Sequence, residues 1–248
     1  MQLDVILTPG EITPADVSGR LVAVIDVLRA STSIAIALAN GAKAILPFAS
    51  ADEAISRSKS LDRDSLVLAG EKDMFPVSGF DLGNSPQAFS SEAVDGKTVM
   101  LTTTNGTKAL LMLQAASDIV VASYVNFSAM EAMLRAAGRA NTDITIVCAG
   151  REGHFSLEDA ACAGRYVRAI SEKLTSTTMN DAAQACALID RKYGDNIQKI
   201  FEDSVHGKAL VEAGFGDDLI AAGALDSFPV VPVYRDRQIT RLGSESAR

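Results

Sequence analysis

The sequence is poor in the residues that build soft-metal centres and disulfide frameworks. It has three cysteines and two histidines among 248 residues. Cys148, Cys162 and Cys186 form no C-x-x-C pair, which argues against a structural zinc site and against a disulfide framework. His154 and His206 are too few for a multi-histidine metal centre. We assign neither histidine a proton-transfer role from the sequence.

Positive charge and long apolar runs are also scarce. The 23 basic and 31 acidic residues give a net charge of −8, which argues against a nucleic acid or an anionic membrane as partner. Such a charge still permits a small anionic ligand, because a few cations can create a local positive field. No apolar run reaches transmembrane length, and the N-terminus lacks the basic and apolar regions of a signal peptide. We therefore expect a cytoplasmic protein.

Several motifs of known phosphate-handling enzymes are missing. The chain has no G-x-x-x-x-G-K-[S/T] loop and no G-x-S-x-G elbow. A cysteine phosphatase would need an arginine six residues after its cysteine, and His154 stands there after Cys148. A haloacid-dehalogenase-type phosphatase would need a second aspartate two residues after Asp26, and Leu28 stands there. What remains is a chemistry of carboxylates, hydroxyls and cations.

Short apolar, β-branched runs alternate with helix-like stretches along the chain. Several runs show almost no polar alternation, which is typical of strands covered by helices on both faces. We predict an α/β fold with helical layers around a mostly parallel or mixed β-sheet. No linker is visible, so we predict one compact domain over residues 1–248, with a helical subregion at 156–223. The predicted strands are Leu3–Leu7, Leu21–Ile25, Ala44–Phe48, Leu66–Ala69, Thr98–Thr102, Ile119–Ala122, Ile144–Cys148 and Val230–Tyr234.

Four apolar runs give way to charged, hydroxyl or glycine residues just before a helix or loop. These segments are Val24–Thr32, Ala69–Lys72, Leu101–Gly106 and Cys148–Gly153. In open α/β sheets, ligands bind beyond the carboxyl ends of the strands. We therefore expect the four loops to share one crevice.

Carboxylates in and near these loops offer the hard oxygen ligands that Mg²⁺ accepts. They are Asp26, Glu71, Asp81, Glu158 and Asp159. Asp26 is distinctive because it lies in a hydrophobic run close to Arg29, and a buried carboxylate without a partner is costly. For any one of the others, a helix cap or a solvated ion pair is an alternative explanation.

Cations and helix starts in the same loops favour an anionic ligand. Arginine can hold a phosphate through two parallel hydrogen bonds, and the first N–H groups of a helix attract an anion. The candidates are Arg29, Lys108 and Arg151, together with Ser31, Thr32, Thr102–Thr104 and Asn105-Gly106 before predicted helices. For the threonines, β-propensity and capping are alternative explanations. Metal ligands, cations and helix N-termini together indicate phosphoryl transfer or hydrolysis.

Ordered blocks along nearly the whole chain resemble the 2-phosphosulfolactate phosphatase family. They are Val24–Thr32, Gly79–Pro86, Thr102–Thr107, Cys148–Gly153, Leu157–Asp159, Cys162–Gly164, Ser204–Gly207 and Val231–Val233. The resemblance implies an α/β fold layered around a sheet. It also implies a Mg²⁺-dependent enzyme that hydrolyses 2-phospho-3-sulfolactate to sulfolactate and phosphate, a step towards coenzyme M. One departure is Lys72 in Gly70-Glu71-Lys72-Asp73, where the family pattern has arginine followed by glycine. Lysine cannot hold an anion through two parallel hydrogen bonds as arginine does.

The residue chemistry and the resemblance together suggest a role for each candidate. We expect catalysis by Asp26, Arg29, Arg151 and Glu152. The expected Mg²⁺ ligands are Asp26, Glu71, Asp81, Glu158 and Asp159. The expected contacts to a small anionic phosphorylated substrate are Ser31, Thr32, Asn84, Thr103, Thr104, Asn105, Gly106 and Lys108. Whether water attacks phosphorus directly or Asp26 becomes phosphorylated is open at this point.

Two other functions are open as well. One is a phosphatase for another phosphorylated 2-hydroxy acid, which keeps the site and changes the substrate. The other is a non-catalytic protein that binds an anion in the same pocket. A homodimer is expected only because twofold assemblies are common.

Overall fold

The structure, a computed structural model, describes residues 1–113, 116–174 and 176–244, without the side chain of Lys108. Within these ranges, eleven strands form one sheet with eleven α-helices around it. The strands are β1 Gln2–Ile6, β2 Leu21–Ile25, β3 Ala44–Phe48, β4 Leu66–Lys72, β5 Phe75–Pro76, β6 Thr98–Thr102, β7 Asp118–Ala122, β8 Ile144–Cys148, β9 Thr178–Met179, β10 Pro232–Arg235 and β11 Gln238–Arg241. The helices are α1 Pro14–Val17, α2 Ala30–Ala39, α3 Ala51–Ser58, α4 Ser91–Val94, α5 Gly106–Met112, α6 Phe127–Arg139, α7 Leu157–Ser171, α8 Asp181–Tyr193, α9 Ile197–Asp203, α10 Val205–Glu212 and α11 Gly216–Ala222.

The sheet consists of two parallel blocks joined by an antiparallel hairpin, with β5 paired antiparallel to β4 at one edge. Its strand order is β5-β4-β6-β3-β11-β10-β7-β2-β8-β1-β9. Strands β4, β6 and β3 pair in parallel, and so do β7, β2, β8, β1 and β9. The hairpin of β10 and β11 pairs antiparallel with β7 on one side and with β3 on the other. The prediction of a layered α/β fold with a mixed sheet is confirmed.

Strand β2 shows why the apolar runs have so little polar alternation. Leu21, Ala23 and Ile25 pack into a core shared with helices α6 to α11. Val22 and Val24 pack into a second core, shared with α2 and α5. Because both faces of the strand meet apolar helices, every position of β2 is buried and hydrophobic.

Helices α7 to α11 occupy the stretch predicted to be a helical subregion. Tyr166 on α7, Ile200 on α9 and Leu210 on α10 belong to the same core as β2. The prediction of one domain over residues 1–248 stays a prediction. No helix in the described ranges is long and apolar enough to cross a membrane.

The two parallel blocks run in opposite senses, because three antiparallel pairings separate β3 from β7. In a flat sheet, the loops after β2 and β8 would lie at the opposite edge from the loops after β4 and β6. Residues from all four loops nevertheless line one cleft, as Asp26, Glu71, Thr104 and Arg151 do.

Candidate active site

A cleft of about 140 Å³ lies where the loops after β2, β4, β6 and β8 meet the start of α10. Both carboxylates and cations line it. The lining residues are Asp26, Leu28, Arg29, Glu71, Asp73, Met74, Asn84, Thr103, Thr104, Asn105, Arg151, Glu152 and His206. The cleft therefore combines the acidic and the basic groups that the strand-end loops carry.

Asp26 is the most deeply buried carboxylate of the cleft, with 6% of the residue exposed. Its Oδ1 accepts a hydrogen bond from the N–H of Ala30, 3.2 Å away, at the start of α2. The pKa of Asp26 is raised to about 6, first by burial and also by the charges of Glu71 and Glu158, whereas His206 and the Ala30 N–H act in the opposite direction. A cation beside a carboxylate in this setting stabilises its ionised form.

Gly106 allows the start of α5 to pack against Asp26. A Cβ at this position would lie 2.6 Å from Asp26 Oδ2 and 2.7 Å from the Cβ of Ala30. Any larger residue would therefore displace the carboxylate or the start of α2. Gly106 does not line the cleft, so the structure gives it the role of allowing this close approach rather than of contacting a substrate.

Glu71 connects the loop after β4 to the loop after β6. Its Oε1 accepts a hydrogen bond of 2.6 Å from the N–H of Thr104, and its Oε2 accepts one of 3.1 Å from the Thr104 hydroxyl. The N–H of Met74 donates to the same Oε2 at 3.0 Å. These bonds fix the Glu71 carboxylate at the cleft, and they also hold the segment that carries Met74 over Arg29.

The loops after β6 and β8 are joined in a similar way. Asn105 Oδ1 accepts a hydrogen bond of 2.9 Å from the N–H of Glu152. Thr103 and Thr107 bond to each other across the first turn of α5, where the Thr107 N–H donates to the Thr103 hydroxyl at 3.1 Å. Thr103 therefore lines the cleft while its hydroxyl accepts a hydrogen bond from an N–H group in the first turn of α5.

Arg29 is a buried and firmly held cation. Its Nη1 donates to Asp218 Oδ2 at 2.7 Å, and both side chains are 3% exposed. Its Nη2 donates to the carbonyl of Met74 at 2.6 Å, and the guanidinium lies 4.6 Å from the centre of the Phe215 ring. Asp218 in turn accepts a hydrogen bond from the Ser85 hydroxyl. This network presents Arg29 to the cleft with little freedom to move.

Arg29, Arg151 and His206 line one side of the cleft, which we call the cationic wall, and Arg151 and His206 are its more open part. Arg151 Nε lies 3.7 Å from Glu152 Oε1, and its side chain is 28% exposed. His206 Nδ1 lies 3.3 Å from Oε1 of Glu158, whose side chain is 2% exposed. Burial favours the neutral acid, but the hydrogen bond and charge of His206 outweigh it, so the net pKa of Glu158 is lowered. Glu158 is thus an ionised partner for the imidazole.

Asp159 and Asp81 do not reach the cleft, although both are expected metal ligands. Asp159 accepts hydrogen bonds from the N–H groups of Val27 at 2.8 Å and Gly150 at 3.0 Å, so it ties together the loops after β2 and β8. Asp81 accepts from Arg63 and from the N–H of Leu68 on the outer side of β4. Both carboxylates serve local structure, and Glu158 serves His206.

Ser31 and Thr32, expected to contact substrate, also serve local structure. The Ser31 hydroxyl accepts a hydrogen bond from the N–H of Asp26 at 2.8 Å. The Thr32 hydroxyl donates to the carbonyl of Val27 at 2.8 Å and lies 2.7 Å from the Ser123 hydroxyl. The first turn of α2 thereby closes on the loop after β2, because short hydroxyl side chains at a helix start bond to the nearby backbone.

The oxygen donors that do line the cleft suit a magnesium ion. Asp26 and Glu71 offer carboxylates, and Asn84 offers an amide oxygen that is buried and has no hydrogen-bond partner. Within the described ranges, no three His, Cys, Asp or Glu residues group closely enough to hold a metal by themselves. Mg²⁺ does not need such a cage, because it commonly binds one or two carboxylates, several waters and substrate phosphate. The residues present therefore fit Mg²⁺.

The structure brings most of the expected site residues together. The expected residues in the cleft are Asp26, Arg29, Glu71, Asn84, Thr103, Thr104, Asn105, Arg151 and Glu152. Lys108 lies in α5, but its side chain is outside the described part of the structure. His206 and Asp218 were not expected. The block Ser204–Gly207 carried a signal for His206, whereas nothing in the sequence marked Asp218.

Comparisons with known proteins agree along almost the whole chain. Residues 6–237 match the family model for 2-phosphosulpholactate phosphatase. A probable 2-phosphosulfolactate phosphatase from Caldanaerobacter subterraneus subsp. tengcongensis is 39% identical over 232 residues, which cover 92% of this chain and 93% of the relative. Proteins with the same description from Gloeobacter violaceus and Clostridium beijerinckii are 37% and 31% identical. These alignments cover 94% of each chain in the first case, and 97% of this chain and 99% of the relative in the second.

Proposed function

The chain belongs to the 2-phosphosulfolactate phosphatase family, and from this premise we propose that it hydrolyses 2-phospho-3-sulfolactate to sulfolactate and phosphate with the help of Mg²⁺. One observation carries the proposal: a single small cleft combines the buried carboxylate of Asp26 and the half-buried carboxylate of Glu71 with the cations Arg29 and Arg151. Carboxylates of this kind can hold a hard metal ion, and the arginines can hold anionic groups.

The cationic wall matches the charge of the proposed substrate, which carries a phosphate, a carboxylate and a sulfonate. Arg29 is rigid, because Asp218 and the Met74 carbonyl hold it, and it can orient an anionic oxygen without ordering a flexible chain. Arg151 is half-buried and has a weaker partner in the exposed Glu152, so it can adjust to a bound group. The two arginines therefore offer one fixed and one adaptable contact.

Asp26 and Glu71 line another side of the cleft, which we call the acidic wall, and this wall supports the proposed need for Mg²⁺. Asp26 and Glu71 would hold Mg²⁺, and the Asn84 amide oxygen would gain the partner that it lacks in the described structure. When bound, the ion would polarise a phosphoryl oxygen and offset charge on the leaving oxygen. Glu71 is kept in place by Thr104, and Asp26 by the start of α2.

Lys72, the departure from the family pattern, gives no support to a different substrate. Its side chain is exposed and does not line the cleft. The position at which lysine replaces arginine therefore lies outside the cleft. A role on a route to coenzyme M is a proposal that rests on the resemblance, and a cytoplasmic location and a homodimer stay predictions from the sequence.

The experiment that tests the proposal is phosphate release from a panel of monoesters. The panel contains 2-phospho-3-sulfolactate, 2-phospholactate without the sulfonate, and 4-nitrophenyl phosphate, each with Mg²⁺ and with EDTA. We expect turnover that needs Mg²⁺ and is fastest with the sulfonated substrate. Fastest turnover of 2-phospholactate would favour another phosphorylated 2-hydroxy acid. Thermal stabilisation by the substrate without any phosphate release would indicate an anion-binding protein.

A further inference from the structure

His206 occupies a defined place at the edge of the cleft. It lies in the first turn of α10, which Ser204 caps by accepting a hydrogen bond of 2.8 Å from the N–H of Gly207. Gly207 packs against the carbonyl of Phe201, where a Cβ would not fit. The start of α10 is therefore held against the end of α9, and the His206 side chain, 12% exposed, is fixed beside the cleft.

Glu158 determines how the imidazole is oriented. It lies in the first turn of α7, is almost fully buried, and places Oε1 3.3 Å from His206 Nδ1. A carboxylate beside Nδ1 accepts a hydrogen bond from that nitrogen and fixes the orientation of the ring, which leaves Nε2 as the nitrogen that can serve the cleft. Two helices, α7 and α10, thus position one imidazole against a site made mainly by strand-end loops.

We propose that His206, positioned by Glu158, is the general acid that protonates the leaving oxygen of the phosphate monoester. The inference rests on the hydrolysis proposed above and adds a residue to it. The leaving group of a 2-hydroxy acid is an alkoxide, which is a poor leaving group unless it receives a proton. The arginines of the cleft cannot supply one, because a guanidinium keeps its proton in proteins.

The bond between phosphorus and the ester oxygen breaks, and its electron pair stays on that oxygen. The Nε2 proton of His206 moves to the same oxygen and gives the hydroxyl of the product. A water oxygen forms the new bond to phosphorus, its proton passes to solvent, and Nε2 regains a proton from solvent. One water is consumed for each ester, and phosphate and the hydroxy acid leave.

The competing role for His206 is that of a cation which binds the phosphoryl group. The two roles differ in their dependence on the leaving group. A general acid matters greatly for an alkoxide and little for 4-nitrophenolate, which leaves without a proton. A binding cation matters equally for both, because the phosphoryl group is the same.

The test compares His206→Gln with wild type on the best alkyl monoester of the panel and on 4-nitrophenyl phosphate. We expect kcat to fall by about 100-fold or more on the alkyl ester, since general acids contribute about 10²–10⁴-fold, and by less than about 10-fold on the aryl ester. His154→Gln is the matched control, because it makes the same change at an exposed histidine outside the cleft. It should stay within about twofold of wild type on both esters.

Glu158→Gln tests the positioning role. We expect a smaller loss than in His206→Gln, again larger for the alkyl than for the aryl ester, with an unfolding midpoint that shows a folded protein. A purely structural role would reduce both activities by the same factor.

Equal losses on the two esters in His206→Gln would overturn the general-acid assignment and leave the proposed hydrolysis intact. Absence of turnover by wild type on every ester would instead remove the proposed function itself.

Discussion

The acidic and the cationic wall of the cleft are held in place by different kinds of contact. On the acidic wall, Asp26 and Glu71 accept hydrogen bonds from backbone N–H groups of nearby loops. On the cationic wall, Arg29 depends on the carboxylate of Asp218, and His206 depends on that of Glu158. The acidic wall is therefore a product of strand ends and helix starts, while the cationic wall is a product of side-chain pairs from remote parts of the chain.

This difference predicts how each wall responds to substitution. Removing a carboxylate from the acidic wall removes a ligand of the proposed Mg²⁺ ion, whereas the backbone N–H donors can form hydrogen bonds with other acceptors. Removing a cation from the buried part of the other wall leaves an unpaired carboxylate, which is costly in a low-dielectric setting. Activity should be most sensitive on the first wall, and stability on the second.

The largest expected effect on activity is that of Asp26→Asn. We expect kcat/KM with Mg²⁺ to fall by more than about 100-fold, beyond the 10–100-fold typical of outer-shell partners of a metal. Asp81→Asn is the matched control, because Asp81 is also a carboxylate beside a strand but pairs with Arg63 outside the cleft. It should keep activity within about twofold of wild type. A loss as large as that of Asp26→Asn would show that the walls of the cleft are wrongly assigned.

The largest expected effect on stability is that of Arg29→Ala. The variant leaves Asp218 buried without its partner, and such a change costs about 3–5 kcal/mol. Urea unfolding measures the loss, and the double variant Arg29→Ala/Asp218→Ala should lose less than the sum of the single changes. Arg151→Ala is the comparison within the same wall, since its pairing with Glu152 is partly exposed. It should change stability by less than about 0.5 kcal/mol while it reduces activity.

The same contrast explains what the sequence could predict. Eight of the eleven strands and the layered sheet follow from hydrophobic runs, and the polar residues at the ends of these runs mark Asp26, Glu71 and Arg151. Strand direction does not explain why the four loops meet, because the two parallel blocks run in opposite senses. The pairing of Arg29 with Asp218 spans 189 positions and that of Glu158 with His206 spans 48, so no local pattern reports either. Asp81 and Asp159 are carboxylates of the type that binds metals, but in the fold they accept hydrogen bonds from backbone N–H groups outside the cleft. Those hydrogen-bond donors cannot be identified from the sequence.

A smaller effect is expected from Gly106→Ala, because Gly106 packs against Asp26 without lining the cleft. The added Cβ would meet the Asp26 carboxylate and Ala30, and overpacking of this kind costs about 1–3 kcal/mol. We expect a lower unfolding midpoint together with reduced activity, because the carboxylate must shift. Gly10→Ala is the control, since nothing lies within 4 Å of its added Cβ. Equal effects of the two variants would mean that Gly106 does not fix the position of Asp26.

The smallest effect concerns the stability of the metal-free protein, in which no bound cation offsets the negative charge of the acidic wall. The pKa of Asp26 is raised from its ordinary value of 3.8 to about 6, first by burial. Between these two pH values the folded state therefore holds a proton that the unfolded state has lost. The ionised Asp26 carboxylate lowers the free energy of unfolding, and this destabilisation is complete above pH 6 and absent below pH 4. In EDTA, Asp26→Asn should thus raise the unfolding midpoint relative to wild type at pH 7.5, and the gain should shrink as the pH falls towards 4. Asp16→Asn should do the opposite, because its hydrogen bonds with Thr13 lower the pKa of Asp16 and stabilise the ionised form. A gain for Asp26→Asn that does not change with pH would show that shape or packing, and not buried charge, sets the stability of this wall.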